Sequence, residues 1–380
     1  MTRSLYFLAL LAFMVGTAEL VVAGVLVEIA VDLDVGTGHA GLLVSAYALV
    51  YAISAPVLIY LTAAVERRRL LLLATLVFCV GNLLAALSPS FTVLMLARAI
   101  LASSTALIIV LVIGFAIALA SEQARGRAIS LVFAGIVASL VAGVPLGTLI
   151  GAEWGWRRVF EGLAVLSLLM AVLLVRVLPR LPGVAAVPWR RQLAALAQRK
   201  VVFAQCASLL QMTGQFTVYT YIVVFLVHSM GLSAATISLV LLVYGLGGVL
   251  GALLGGWAAD RFGSVRAFSW GLLLHALALW CLPLSTVSLA SLLVLVAVWC
   301  VFNMVPGPAI QKHLTELAPA TADIQIGLNT SAIQIGVALG ASIGALLIER
   351  WPIESIAYVG GALVLLGLLA GRGARVRPPA

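Results

Sequence analysis

Residues 143–151 read GVPLGTLIG and residues 336–344 read GVALGASIG, six identities in nine positions at an offset of 193. Each stretch lies in a long apolar run and sets glycine at every fourth position: Gly143, Gly147 and Gly151 in one, Gly336, Gly340 and Gly344 in the other. On a helix that spacing gathers the glycines on one face, where two backbones can approach closely. A second echo, at an offset of 197, pairs Tyr47 with Tyr244, Leu49 with Leu246 and Arg69 with Arg266. A chain that repeats itself after half its length is expected to build two halves of like architecture, with a solute site between them near mid-depth if it lies in a membrane.

The bilayer is implied by composition. Of 380 residues 64% are hydrophobic and only 9% charged, more apolar surface than one soluble core can hide. With a window of roughly 20 residues per span, apolar runs fall near 5–30, 40–62, 70–88, 91–119, 128–151 and 156–175, then near 201–227, 232–257, 267–283, 286–308, 324–348 and 353–371. Lipid cannot satisfy exposed backbone groups, so these runs must be helices. The predicted fold class is an all-α integral membrane protein of twelve transmembrane helices in two pseudo-symmetric six-helix bundles. Residues 1–178 form the first half and 201–371 the second; 179–200, with three prolines and five basic residues, is the cytoplasmic linker, and 372–380 a basic tail.

The formal charge of +9 does not mark a nucleic-acid partner, because the basic residues sit in short segments between apolar runs. With the N-terminus cytoplasmic, 18 of the 22 arginines and lysines fall inside; Arg157, Arg158 and Arg350 fall outside and Arg98 within a span. The positive-inside rule therefore predicts both termini in the cytoplasm of a multi-pass protein of the cell membrane. Residues 1–19 resemble a signal peptide, but the apolar run continues to about Ala30 and reads as an uncleaved first span. Cys79, Cys206, Cys281 and Cys300 lack metal-ligand spacing and read as small buried hydrophobes. No metal and no cofactor is expected.

Two charged residues lie deep, Glu19 and Arg98, at roughly 21 and 18 Å from the inner edge of a 30 Å hydrocarbon core. A carboxylate there must face a cavity, pair, or take up a proton. Glu19 is read as the proton-coupling or solute-binding group, with a structural ion pair as the alternative. Arg98 either pairs with Glu19 or reaches toward the outer interface.

Residues 256–263, GWAADRFG, fit G-x-x-x-D-R-x-G at the end of the eighth span. There Gly256 and Gly263 would permit close approach and a tight turn, and Asp260 and Arg261 would make charge-assisted bonds that latch one conformation. A solvated loop is the plain alternative. Gly143, Pro145 and Gly147 are gating candidates of the fifth span, explained equally by packing.

Gln211, Gln215 and Tyr219 share one face of the seventh span, and Asn303, Asn329 and Gln334 add amides in spans ten and eleven. These groups can bind a polar solute or merely neighbouring helices; Tyr219 or Trp299 could stack on a ring. His275 and His228 read as isolated and structural.

No G-x-x-x-x-G-K-[ST], H-E-x-x-H or G-x-S-x-G stretch is present, so ATP hydrolysis and the familiar catalytic sites are not expected, and the chain is read as no enzyme. A receptor or channel remains the alternative of another class.

With VGTAELVVAGVL at 15–26, HAGLLVSAYALVYAISAP at 39–56, GWRRVF at 155–160 and DIQIGLNTSAIQIGVALG at 323–340 added, the chain resembles the major facilitator superfamily over nearly its whole length. Within it the pattern is similar to the drug:proton antiporter branch, most of all to purine-base efflux carriers of the PbuE type, less to sugar exporters. The resemblance implies the major facilitator fold and exchange of protons for a small solute; the chain is expected to act as a monomer. It assigns Arg98 to proton transfer, Gly143, Pro145 and Gly147 to the span-five antiporter motif, and Gly256, Asp260, Arg261 and Gly263 to the second-half loop motif. The first-half copy departs from that pattern: Ala63 and Ala64 stand where Asp and Arg are expected, followed by Glu66, Arg67, Arg68 and Arg69. Purines or nucleosides are the expected cargo, with amphipathic drugs and sugars as alternatives.

Overall fold

A computed structural model describes residues 3–183, 194 and 198–373; most of the linker and residues 374–380 of the tail lie outside the described residues. Among those residues the regular structure is entirely helical. The first six spans are α1 (Arg3–Gly24), α3 (Thr37–Leu61), α4 (Arg67–Ala86), α5 (Phe91–Leu119), α6 with α7 (Arg125–Ala138 and Val144–Trp154) and α8 (Trp156–Val177), with α2 (Leu26–Asp32) following α1. The second set is α9 with α10 (Arg199–Tyr219 and Ile222–Met230), α11 (Ala234–Phe262), α12 (Ser264–Cys281), α13 with α14 (Leu289–Met304 and Pro306–Leu317), α15 (Ala322–Arg350) and α16 (Ser355–Gly373). Eleven of these segments are long and apolar enough to cross a membrane, and the pair α9–α10, bent by 41°, makes the twelfth. Large apolar side chains such as Leu166, Leu169 and Val172 point outward, the inverse of a soluble surface.

The chain forms two compact units, Met1–Ala186 with Leu232–Leu242, and Val187–Gly231 with Val243–Ala380. Within the first, α1 lies against α6 and α7 so closely that a Cβ on Gly143, Gly147 or Gly151 would fall on Thr17, Val21 or Val25. Within the second, α15 lies on α9 in the same way: a Cβ on Gly336, Gly340 or Gly344 would meet Leu209 O, Thr213 O or the Tyr221 ring. The paired glycine stretches thus serve one packing task in each unit, close approach of two spans: onto side chains of the first span in the first unit, and largely onto backbone carbonyls of α9 in the second.

Several predicted spans are broken. The first does not run unbroken to Ala30: Val25 leaves the helical region at φ −119°, ψ 20°, separating α1 from α2. Pro145 lacks an N–H and its ring crowds the carbonyl four residues back, so the preceding turn, Ser139–Gly143, widens into a π-helix. Pro306 likewise opens α14 after Val305. Of the cysteines only Cys300 is fully buried, whereas Cys206 and Cys281 face outward, as small apolar groups can where lipid is the solvent.

Candidate functional site

In the first unit the burial of Arg98 decides its role in packing. Its side chain is completely inaccessible, so it does not reach to the interface. The guanidinium donates to Ala18 O at 2.6 Å, to Glu19 O at 3.2 Å and to Leu43 O at 3.4 Å. It also lies 4.0 Å above the Tyr47 ring. One arginine on α5 therefore ties α1 to α3 through the fork geometry of its donors and a cation–π stack. Glu19 is half-buried on α1, within electrostatic range of Arg98, Tyr47 and Tyr51. The two deep charges of the sequence do share one neighbourhood.

In the second unit four helices bring polar side chains to one point. Gln215 on α9 is the centre. Its Nε2 donates to Tyr244 Oη at 2.6 Å, and its Oε1 lies 2.8 Å from Trp299 Nε1 and 3.0 Å from His275 Nε2. Trp299 Nε1 also approaches His275 Nε2 at 3.3 Å, but the shorter contact to a carboxamide oxygen, which only accepts, favours the imidazole proton on Nε2 and a lone pair on Nδ1. Asn303 Nδ2 reaches Tyr244 Oη at 3.4 Å, and Gln211 Nε2 donates to Asn303 O at 2.9 Å. The Tyr219 and Trp299 rings flank Tyr244 at 5.1 and 4.9 Å. His275 Nδ1, Asn303 Oδ1 and Tyr219 Oη are buried with no protein partner.

Gln211, Gln215, Tyr219, Trp299 and Asn303 are thus brought together. Trp299 is wholly enclosed and spends its indole N–H on Gln215, so it offers no open face for stacking. Asn329 belongs to a different set, donating at 2.9 Å to both Gln205 Oε1 and Ser208 Oγ, with Gln205 Nε2 on Gln325 O at 3.1 Å. Gln334 is buried on α15. The isolated reading of His275 is corrected here: it is completely buried and joined to Gln215. Tyr244, Gln205 and Gln325 went unremarked as polar site residues, although the Tyr47–Tyr244 repeat pointed to a buried phenol in each half.

The loop motif is only partly what its residues suggested. Gly263, at φ +89°, makes the α11–α12 turn in a conformation other residues rarely adopt. Gly256 has open space where a Cβ would stand, so it supports no close helix approach. Asp260 bonds Lys312 Nζ of α14 at 2.7 Å, and that ammonium also donates to Ala259 O at 3.2 Å. Arg261 is exposed on the same turn. In the first unit Glu66 caps α4, its Oε1 accepting from Arg68 N at 2.8 Å, while Arg68 donates its guanidinium to Val175 O. Residues 181–183 cover the turn at Ala63 and Ala64: Arg67 N donates to Leu181 O at 2.9 Å and a Cβ on Gly183 would strike Ala63 O. The Pro145 carbonyl accepts from Ser238 Oγ of the same compact unit at 2.9 Å.

Beyond the first span, Asp32 accepts from the Arg157 guanidinium and, at 3.2 Å, from Trp156 Nε1; Arg157 also donates to Ser88 O at 2.8 Å. The bond from Arg157 holds the Asp32 carboxyl below its ordinary value.

The sequence profile described as Major Facilitator Superfamily matches residues 8–233 and 204–380. The chain is 35% identical over 369 residues to a Bacillus subtilis (strain 168) protein named "Uncharacterized MFS-type transporter YbcL", covering 97% of this chain and 95% of the relative. It is 30% identical over 363 residues to "Uncharacterized MFS-type transporter YtbD" of the same organism, covering 94% and 91%. A bacterial homolog of the human lysosomal transporter Spinster, solved in an inward-facing and occupied conformation, superposes with a TM-score of 0.73 over 97% of this chain and 95% of that one, at 17% identity. The same homolog in its inward-facing and unoccupied conformation gives 0.75 over 99% and 98%, at 16% identity, so the likeness is one of fold. The profile match over both halves, the relatives and the helical architecture together make this chain a member of the Major Facilitator Superfamily, a multi-pass membrane transporter.

Proposed function

We propose that this transporter is a proton-coupled antiporter of the drug:proton branch, exporting a small neutral heterocycle by alternating access, with purine bases or nucleosides as its cargo. It would sit in the cell membrane with both termini cytoplasmic and act as a monomer. Glu19 would take up the proton, with Arg98 setting the field around it. Gln211, Gln215, Tyr219, Asn303 and His275 would face the cargo.

One observation carries this reading: the buried polar cluster of the second unit contains no charged member and has two acceptors, His275 Nδ1 and Asn303 Oδ1, and one hydroxyl, Tyr219 Oη, without protein partners. Each such group costs about 1–3 kcal/mol when buried unmet, a cost that a ligand's N–H donors would recover. A purine presents N–H and ring-nitrogen groups along its edges; a lipophilic cation would find no carboxylate in this cluster. The test is uptake of radiolabelled hypoxanthine or adenine into proteoliposomes under an imposed pH gradient. Concentrative, gradient-dependent movement is expected. Extrusion of ethidium with no purine flux would replace this reading with multidrug export, sugar flux alone with sugar export, and movement of no solute with a sensing role.

A further inference from the structure

Away from the polar cluster, α11, α12 and α13 leave a cleft of about 380 Å³ in the second unit, beside the turn at Gly263. Its walls include Trp257, Phe262, Trp270, Leu274 and Phe302, and its one charged lining residue is Arg266. Three of the wall residues are largely exposed: Trp257 at 58%, Phe262 at 52% and Trp270 at 62%. Arg266 is exposed as well and, among the described residues, forms no ion pair, in contrast to Lys312, whose ammonium is held by Asp260.

We propose that this cleft binds one anionic phospholipid, with the phosphate on Arg266 and an acyl chain lying between Trp257 and Trp270. The geometry has the order of such a molecule. Arg266 stands two residues into α12, at the water-facing end, and Leu274 lies two turns deeper, about 12 Å along the helix axis. That depth is most of one leaflet of a roughly 30 Å hydrocarbon core. Tryptophans at a helix end mark the interfacial belt, and basic clefts between spans near that level recognise anionic head groups. Charge selects among the amphiphiles that would fit the apolar walls. A cationic detergent or drug is repelled by Arg266, and a zwitterionic head group offers its own ammonium to the same arginine. One basic side chain near the surface corresponds to about five-fold preference.

The experiment uses full-length protein in phosphatidylcholine vesicles containing a minor fraction of brominated phosphatidylglycerol or, in parallel, brominated phosphatidylcholine. Quenching of tryptophan fluorescence reads the lipid at the cleft, and Trp257→Phe and Trp270→Phe identify the part of the signal that belongs there. The expected result is quenching of those two tryptophans about five-fold more efficient for phosphatidylglycerol, abolished by Arg266→Gln and retained by Arg266→Lys and by Arg176→Gln, an arginine of the first unit. Equal quenching by the two lipids in the wild type overturns the proposal, as does a preference that survives Arg266→Gln. Loss of the preference in Arg176→Gln overturns it too, since general surface charge would then explain it. Native mass spectrometry of the wild type gives an answer that depends on no variant: one phosphatidylglycerol should survive detergent stripping where phosphatidylcholine does not, and equal retention counts against the site.

Discussion

Replacing Arg98 by methionine should destabilise the first unit by about 2 kcal/mol, a figure that follows from the bonds it makes. Hydrogen bonds between membrane helices average about 0.6 kcal/mol and reach about 1.7. The 2.6 Å bond to Ala18 O earns the upper value, the 3.2 Å bond to Glu19 O the mean, and the 3.4 Å contact to Leu43 O next to nothing. The stack over Tyr47 at 4.0 Å adds about 1–2 kcal/mol. Against this total of about 3–4 kcal/mol stands relief from burying a guanidinium, which offsets part of it. Arg98→Lys keeps the charge and one donor for Ala18 O but loses the fork, so it should cost about 1 kcal/mol. Reversible unfolding in mixed detergent–SDS micelles, followed by circular dichroism, measures both variants. A methionine variant within about 0.5 kcal/mol of wild type, below the mean worth of a single such bond, would refute the staple, and so would a lysine variant less stable than the methionine one. If the staple is the whole of Arg98's role, pH-driven flux should fall in step with stability. If it also tunes Glu19, flux should fall in the lysine variant well beyond its loss of stability.

Three further outcomes are expected. Glu19→Gln should abolish pH-gradient-driven transport in proteoliposomes while leaving some solute exchange, and undiminished driven transport would remove Glu19 from coupling. Asp260→Asn and Lys312→Met should each shift the protein toward opening on the cytoplasmic side, with the double variant no worse than either, because both break the one 2.7 Å pair; cysteine labelling on a cysteine-free background reads this, and unchanged labelling in folded protein dismisses the latch. Asp32 has its folded-state value depressed by Arg157 below the ordinary 3.8, so its stabilising contribution is present above about pH 4 and is lost as pH falls through the depressed value. Asp32→Asn should therefore remove a stability loss seen in the wild type below about pH 4, by a small amount because both partners are partly exposed; identical acid profiles would exclude the pair as a contributor.

The helices and their number, eleven single segments and one bent pair, were legible in the sequence because lipid forces every backbone group in a span to bond within its own segment, which makes the span a local, one-dimensional signal. The glycine seams were legible for the same reason: a four-residue spacing is a property of one helix, and its repeat at an offset of 193 marked the equivalent contact in each half. What the sequence could not supply was which face of each helix meets protein. Spans such as α5 and α13 are apolar on nearly every face, so periodicity does not separate the lipid face from the core. Only the tertiary structure decided that His275 joins Gln215 across 60 residues, that Trp299 turns its N–H inward to the same carboxamide, and that Asn329 belongs with Gln205 instead. It likewise decided that Arg98 is enclosed and bonds backbone carbonyls of α1 and α3, and that Asp260 finds Lys312, 52 residues away, a partner the motif alone did not name. Each of these depends on side-chain direction and helix rotation, and in a chain this uniformly apolar those are set by how whole helices pack, not by any local stretch of residues.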